Sequence, residues 1–344
     1  SFFDIDSNPA EGSKEMSKVK WGILSTANIG QTQVIPAINR SKLGEAIAIA
    51  SLSGRAQEAA DKLGIPKVYE SYEALLSDDE IDAVYIPLPN HLHAKWVMEA
   101  AKAGKHVLVE KPASLTAHEM EEMLDVCNRH GVIFMEAFMY QFHAQHKRVR
   151  DILKTGEIGE VKYMYASHSF FLDDEENIRL SPEKGGGALY DVGCYNIHAF
   201  RHILQAEPKE VRVFSKMDNP YHIDMTTTGH LWMDNGVQAM FDCSFEMKTR
   251  DEYRVVGTKG EIICQHAYRP DRKDHKGTLI IKTNEETRKE IISCDQYLMQ
   301  VEHFAECVIE GKQPQYTGTD TLQNMKVIDA CYESIRTNQT VTLL

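Results

Sequence analysis

From residue 18 to about 137 the apolar positions gather into short runs, "VKWGIL", "AIAIAS", "AVYIPL", "HVLVE" and "VIFMEA". Stretches with helical spacing, at 55–63, 92–103 and 116–130, separate them. Gly64, Gly104 and Gly131 each stand just before the next run, where a helix commonly stops. Strand and helix alternating in this way predict a parallel sheet wrapped by helices.

The pattern changes at about residue 142. Helical stretches near 143–154 and 188–204 flank "GEVKYMYASHSFF", and then come "MTTTGHLWM", "VQAMFDCSFEM", "YRVVG", "EIICQ" and "TLIIKT". Their two-residue period, with breaks at "DNG" and "TKG", predicts a mostly antiparallel sheet, and helices at about 296–310 and 319–336 close the chain. The expected fold class is α/β. A Rossmann-type doubly wound parallel sheet over 18–141 precedes an α+β domain over 142–344 with a large, mostly antiparallel open sheet. Residues 1–17 are expected to form an arm outside the fold, disordered or not native. Between 224 and 247, Leu231, Met233, Met240, Phe241 and Phe245 put apolar side chains on both sheet faces. An uncovered face of this kind needs a partner, so a homodimer or higher homo-oligomer is expected.

Composition narrows the function classes. The chain has 344 residues, 42% of them hydrophobic and 26% charged, as in an ordinary globular protein of two domains. A net charge of −13 argues against nucleic-acid binding, which needs clustered Lys and Arg. Seven scattered cysteines without a C-x-x-C pair fit a reducing cytoplasm better than a disulfide framework. No apolar run approaches the roughly 18 residues of a membrane span, and no secretory signal pattern is evident, so a cytoplasmic location is expected.

Three segments carry candidate chemistry. "GILSTANIG", residues 22–30, ends an apolar run as a dinucleotide loop would, although Ser25 and Ala27 occupy the first two glycine positions and only Gly30 keeps the third. Such a loop must turn tightly and present backbone N–H groups to a pyrophosphate, and Ser25 and Thr26 add hydroxyls. By itself it reads equally well as an ordinary turn. About twenty residues on, "ASLSGRAQ" lacks the carboxylate that grips an unphosphorylated ribose. Ser51, Ser53 and Arg55 suit a 2′-phosphate, which favours NADP(H) over NAD(H); the bland alternative is a solvated Arg55 at a helix start.

Next, "HVLVE" continues into Lys111, whose backbone Pro112 constrains. Lysines at strand ends are usually solvated, but a parallel sheet gathers its ligands at this edge. Finally, "EKGGGALYDVGCYNIHAF" runs three glycines into a helix with Asp191, Tyr195 and His198 spaced to share a face. The glycines would let a ligand approach the backbone, whereas the polar stripe could equally be a satisfied domain interface.

Taken in order, "GILSTANIG", "IPLPNHLHAKWVMEAAKAGKHVLVEKP", "MEAFMYQFH", "GGGALYDVG" and "YLMQVEHFAECVIEGKQP" resemble the Gfo/Idh/MocA oxidoreductases over nearly the whole chain. The resemblance implies an NAD(P)-dependent enzyme acting on CH–OH groups of a sugar, polyol or related cyclic alcohol. It makes Lys111 the catalytic lysine and Asp191 the aspartate of the helix motif. Tyr195 stands where many members carry a histidine, a trait of the branch with glucose-fructose oxidoreductase, dimeric dihydrodiol dehydrogenase and NADP-dependent xylose dehydrogenase. Ser25, Thr26, Ala27, Asn28 and Ile29 then form the cofactor loop. Leu88, Asn90, His93, Glu110 and Lys111 border the nicotinamide, and Tyr140, His143, Arg179, Asp191 and Tyr195 contact substrate. Ala144 replaces a frequent proline of the family.

In this reading Tyr195 is the acid/base, its phenol made more acidic by the Lys111 charge, while Asp191 orients substrate or holds the lysine. His198 is more readily a packing residue than the proton carrier. The histidine pairs 91/93, 143/146 and 198/202 lack a third ligand at suitable spacing, so no metal is expected. The competing reading is a catalytically silent NAD(P)-binding sugar sensor on the same fold.

Overall fold

The computed structural model describes residues 17–343, so the arm expected over 1–17 lies almost wholly outside the described residues. Six strands make the first sheet: β1 (Val19–Leu24), β2 (Gly44–Ala50), β3 (Lys67–Tyr69), β4 (Ala83–Ile86), β5 (His106–Glu110) and β6 (Phe134–Ala137). Their order is β3-β2-β1-β4-β5-β6 and every pair is parallel. β4 and β6 are buried at every position, as strands sandwiched between helices must be. The helices Ala56–Leu63, His93–Lys102 and Ala117–Arg129 fall where the periodicity places them. β3 and the short helix Tyr72–Leu76 do not register in the pattern, because three half-buried residues at a sheet edge show no period. The order reverses between β1 and β4, and at that point the loops leaving the strands part to open a crevice.

The second sheet has nine strands: β7 (Val161–Phe171), β8 (Pro208–Ser215), β9 (Thr226–Met233), β10 (Gln238–Ser244), β11 (Glu246–Gly257), β12 (Gly260–Cys264), β13 (Lys276–Thr283), β14 (Thr287–Ser293) and β15 (Val341–Thr342). They run in the order β14-β13-β12-β11-β7-β10-β9-β8-β15, antiparallel except for the pair β7 and β10. Helices Cys194–Leu204 and Gly318–Thr337 pack on one face.

The two faces share the apolar side chains unequally. Leu231, Met233, Phe241 and Phe245 all lie in the helix-covered core, and of the five only Met240 is on the open face. Alternation decides this, since Leu231 and Met233 sit two apart and Leu231 pairs with Ala239, which shares its face with Phe241. Trp232 and Phe214 join Met240 there, each about half exposed.

The closing helices tie the two sheets together. Trp21 of β1 packs on Phe304 of helix Gln296–Glu310, with ring centroids 5.2 Å apart, and Ser41 hydrogen-bonds Glu302 at 3.1 Å. Ala117 N–H donates to the Asp329 carboxylate of helix Gly318–Thr337 at 2.9 Å. The division at residue 142 therefore describes the strands better than it describes the last two helices. Among the described residues, no helix is long and apolar enough to cross a membrane.

Candidate active site

At the C-terminal edge of the parallel sheet the chain leaves β1 through Ser25, Thr26 and Ala27, and a helix begins at Asn28 and Ile29. The first N–H groups of a helix have no acceptor within it and can face an anion. Gly30 lies inside that helix, and a Cβ there would sit 3.4 Å from the Tyr85 ring and 3.6 Å from Pro87, so glycine lets the helix close on β4. Ser25 itself adopts φ +114°, a conformation that glycine takes freely and L side chains rarely do. Its hydroxyl accepts the Ala27 N–H at 3.2 Å and donates to the Pro87 carbonyl at 3.4 Å, two long bonds that return little for that strain. Ser25→Gly is therefore expected to raise stability by about 1 kcal/mol, read as a thermal midpoint higher by about 1–3 °C. A lower midpoint would mean that the hydroxyl outweighs the backbone.

At the end of β2, Ser51 and Ser53 hydroxyls lie 2.7 Å apart, and Arg55 is exposed without a carboxylate partner among the described residues. No acidic side chain follows β2 before Glu58. These residues fit a phosphorylated ribose.

β5 delivers Glu110 and Lys111 to the crevice, and the Lys111–Pro112 peptide is cis. Lys111 Nζ donates to the Asp191 backbone carbonyl at 2.6 Å and lies 3.7 Å from Asp191 Oδ1. Arg179 Nε donates to the other carboxylate oxygen, Oδ2, at 3.0 Å. These two cations outweigh burial and hold the Asp191 carboxyl below its ordinary range. Lys111 Nζ also stands 4.9 Å from the centre of the Tyr195 ring. Glu110 has its carboxyl pushed up to about 7 by burial, against the pull of the adjacent lysine.

Asp191 and Tyr195 arrive on a π-helical turn, Leu189–Gly193, that runs into helix Cys194–Leu204. Asp224 anchors its start by accepting the Leu189 N–H at 2.7 Å. The three glycines before it serve packing rather than ligand approach, which corrects the expectation from sequence. A Cβ on Gly186 would fall 2.5 Å from the Arg179 carbonyl, and one on Gly187 2.3 Å from Asp224 Oδ1. That space is already filled by the chain's own atoms.

Tyr195 is buried in an aromatic cage of Phe138, Tyr140, His168 and Tyr268, with ring centroids 5.0–5.7 Å away. Its hydroxyl donates to Met139 Sδ at 3.4 Å. The expected acidification of the phenol is not what this geometry gives. Burial, reinforced by Glu110, raises the Tyr195 pKa well above its ordinary value, and Lys111 faces the ring instead of bonding the hydroxyl.

Other residues expected at the site have their polar atoms engaged elsewhere. His93 spans the Pro112 and Leu88 carbonyls at 2.7 and 2.6 Å, and Asn90 donates to the Gly185 carbonyl at 3.0 Å, so both brace the crevice. His143 caps helix Ala144–Thr155 and contacts the His275 carbonyl, which explains why the turn survives without the family proline. Tyr140 is fully buried with its hydroxyl on His198 Nδ1, forming the layer behind Tyr195. His198 stacks on Phe138 at 4.5 Å, as expected of a packing residue. His168, Tyr268, Arg269 and Tyr297 went unnoticed. They come from β7, the loop after β12 and the last helices, where strand alternation gives no hint of a shared pocket.

The chain matches two family descriptions: "Oxidoreductase family, NAD-binding Rossmann fold" over residues 19–138 and "GFO/IDH/MocA C-terminal domain" over 146–263. It is 40% identical to D-xylose 1-dehydrogenase (NADP(+)) 2 of Haloferax volcanii, across 94% of this chain and 99% of that one. The chain belongs to the Gfo/Idh/MocA oxidoreductase family. Another relative within it is dTDP-3,4-didehydro-2,6-dideoxy-alpha-D-glucose 3-reductase of Actinomadura kijaniata, 30% identical over 94% of this chain and 96% of that one. A 3-ketoreductase from the same organism, solved with TDP-benzene and NADP, superposes with a TM-score of 0.88 at 30% identity, covering 92% of this chain and 98% of that one. An aldose-aldose oxidoreductase from Caulobacter crescentus, complexed with glycerol, also reaches 0.88, at 25% identity and with coverage of 95% and 100%. In this chain the strand-end Lys111 and the helix-turn Asp191 face one another, with Lys111 Nζ 3.7 Å from Asp191 Oδ1.

Proposed function

We propose that this oxidoreductase transfers a hydride between NADP(H) and a carbinol or carbonyl carbon of a sugar, polyol or related cyclic alcohol. The observation that carries the reading is the convergence of Lys111, from the end of β5, with Asp191 and Tyr195, from the turn and helix Leu189–Leu204. NADP is preferred to NAD because Ser51, Ser53 and Arg55 end β2 without a competing carboxylate, and relatives named for NADP agree. When bound, the cofactor supplies or accepts the hydride at its nicotinamide ring.

The chain's own residues then manage the proton and the charge. Because burial keeps the Tyr195 phenol protonated, it is poised to donate its proton to the oxygen of a carbonyl being reduced. Lys111, held in place by the Asp191 carbonyl and carboxylate, stabilises negative charge developing on that oxygen. In the reverse direction Tyr195 must first lose its proton, so oxidation demands higher pH. Loop residues 25–29 hold the pyrophosphate, Leu88 and Glu110 border the nicotinamide, and Arg179 orients Asp191.

A silent sugar sensor would need cofactor and ligand contacts but no proton donor beside a cation. Nicotinamide absorbance separates the readings, measured with NADP(H) and NAD(H) against aldoses, ketoses, inositols and dihydrodiols. Turnover of a sugar with NADP(H) is expected; silence across the panel despite tight cofactor binding would establish the sensor.

The open sheet face bearing Phe214, Trp232 and Met240 is proposed to pair with a second copy. Light scattering at micromolar concentration should give at least a dimer mass, and Trp232→Asp should shift it toward monomer. A monomeric parent chain would refute the assembly.

A further inference from the structure

A second cavity, of about 520 Å³, opens where helix Ala144–Thr155, the C-terminal end of helix Cys194–Leu204 and the loop leading into helix Gly318–Thr337 meet. Its size is that of an ordinary small-molecule site. Its wall includes His198, from the layer behind Tyr195, but none of Lys111, Asp191 and Tyr195.

Three side chains bring it hydrogen-bond donors that have no acceptor. Gln141, only 6% exposed, lines the cavity, and its Nε2 makes no hydrogen bond. Arg150 gives one N–H to His202 Nε2 and forms no ion pair among the described residues, since the neighbouring Asp151 is held by Lys147 at 2.7 Å. Burial, helped by the charges of Arg150 and Arg201, lowers the His202 pKa to about 3, so the imidazole accepts as a neutral group and the guanidinium charge stays uncompensated. The Tyr140 hydroxyl, kept protonated by burial, has His198 Nδ1 as its acceptor. That assigns the His198 proton to Nε2, which has no partner among the described residues. Buried donors without acceptors are costly, and a set that includes a guanidinium suits the oxygens of an anion.

The carboxylates around the cavity are engaged or lie at its rim. Glu207 accepts two Arg201 N–H groups at 2.7 and 3.2 Å, and the remaining Arg201 nitrogen donates to the Asp320 carbonyl and Asn324 Oδ1. The Asp320 carboxylate accepts the Thr317 N–H and hydroxyl at 2.9 and 3.0 Å, capping its helix. Asp234 is exposed and accepts the Glu207 N–H at 3.2 Å. Arg150 therefore matches one negative charge, while Asp234 and Asp320 oppose a second. Gln205 covers the last-turn carbonyl of His202 at 2.6 Å, which weakens the negative helix end that an anion would meet. Gln205, Gln315 and the rim carboxylates retain acceptor capacity for hydroxyl groups.

We propose that this cavity binds a small monocarboxylate carrying hydroxyl groups, a sugar acid, with its carboxylate on Arg150 and Gln141 and its hydroxyls toward Gln205, Gln315 and the rim. Oxidation of an aldose at its anomeric carbon, with NADP taking the hydride, gives a lactone, and water opens that ring to such an acid. Only this choice of acid rests on the hydride-transfer reading; the cavity and its donors stand apart from it.

The test is calorimetry on the full chain saturated with NADPH, using gluconate, acetate, glycine and inorganic phosphate. Gluconate should bind at one site per chain, about tenfold or more tighter than each of the others. Arg150→Gln should weaken it about tenfold or more and Gln141→Leu about fivefold, with NADPH affinity and melting temperature near those of the parent. Arg150→Lys keeps the charge without the planar fork and should fall between parent and Arg150→Gln, which secures the reading if the glutamine variant folds poorly. Lys111→Ala should leave gluconate affinity unchanged, separating this cavity from the crevice. The inference is overturned if gluconate does not bind, if phosphate or glycine binds more tightly, if both Arg150→Gln and Gln141→Leu keep the parent affinity, or if Lys111→Ala abolishes binding that Arg150→Gln spares. Gluconate binding that depends on Arg150, in a protein that turns over no sugar, would sink the hydride-transfer reading and leave this site standing.

Discussion

Lys111→Ala should lower turnover by about 10³-fold while leaving NADPH affinity within a few-fold of the parent. The magnitude follows from removing a preorganised charge from the oxygen that becomes anionic, in a site sheltered from water. The structure gives Lys111 two anchors, the Asp191 carbonyl at 2.6 Å and the carboxylate at 3.7 Å, so its position is set before substrate arrives. Removing it leaves Asp191 with Arg179 as counter-charge, and the fold should survive. Arg179 cannot substitute, since its guanidinium is already committed to Asp191. Lys111→Arg should also fail to restore activity, because a delocalised guanidinium on a longer stem does not place a compact charge where the Lys111 ammonium sits, 2.6 Å from the Asp191 carbonyl. Single-turnover oxidation of NADPH with a reactive ketose or aldose reads the effect apart from product release. If Lys111→Ala retained more than a tenth of parent turnover, the electrostatic role would be untenable.

Tyr195→Phe should cost about 10²–10⁴-fold in turnover, the usual worth of a positioned acid or base. The hydroxyl donates to Met139 Sδ, so its loss leaves the aromatic cage packed and the melting behaviour nearly unchanged. A large loss of rate without loss of fold is therefore interpretable. The pH dependence gives a second reading of the same group. With its pKa raised well above the ordinary phenol value, Tyr195 stays protonated across neutral pH. Reduction should be nearly flat there, and oxidation should climb as pH rises toward the phenol's ionisation. In Tyr195→Phe the residual oxidation should lose that alkaline climb. A parent oxidation rate that is level from neutral to alkaline pH would remove Tyr195 as the base.

The raised phenol shows where sequence reasoning stopped. Placing Lys111 and Tyr195 in one crevice needs only the strand-end position of the lysine, the helical spacing from Asp191 and the family resemblance. Predicting whether the charge meets the hydroxyl or the ring face needs coordinates, because a shift of a few ångströms reverses which effect dominates. The histidines teach the same lesson. His93 and His143 stand in the right segments, yet both ring nitrogens of each are spent on the protein's own backbone. Proximity in the chain to a site does not say where a side chain turns. His168 and Tyr297 went unseen because a strand residue and a helix residue far apart in sequence come near Tyr195 only after both sheets are built.

The amino-acid pattern by itself determined the two sheets, the ligand edge of the parallel one, the glycine-ended helices and the pairing of Ser51 and Ser53 with a missing carboxylate. These follow from burial period and turn chemistry, which act between neighbours along the chain. Tertiary structure alone decided which apolar strand residues the helices cover and which stay open, why Gly186 and Gly187 are glycines, which cations are already neutralised and which buried polar atoms still lack a partner. Those are matters of distance between residues remote in sequence, and Coulomb and hydrogen-bond energies depend on distances that no local pattern encodes.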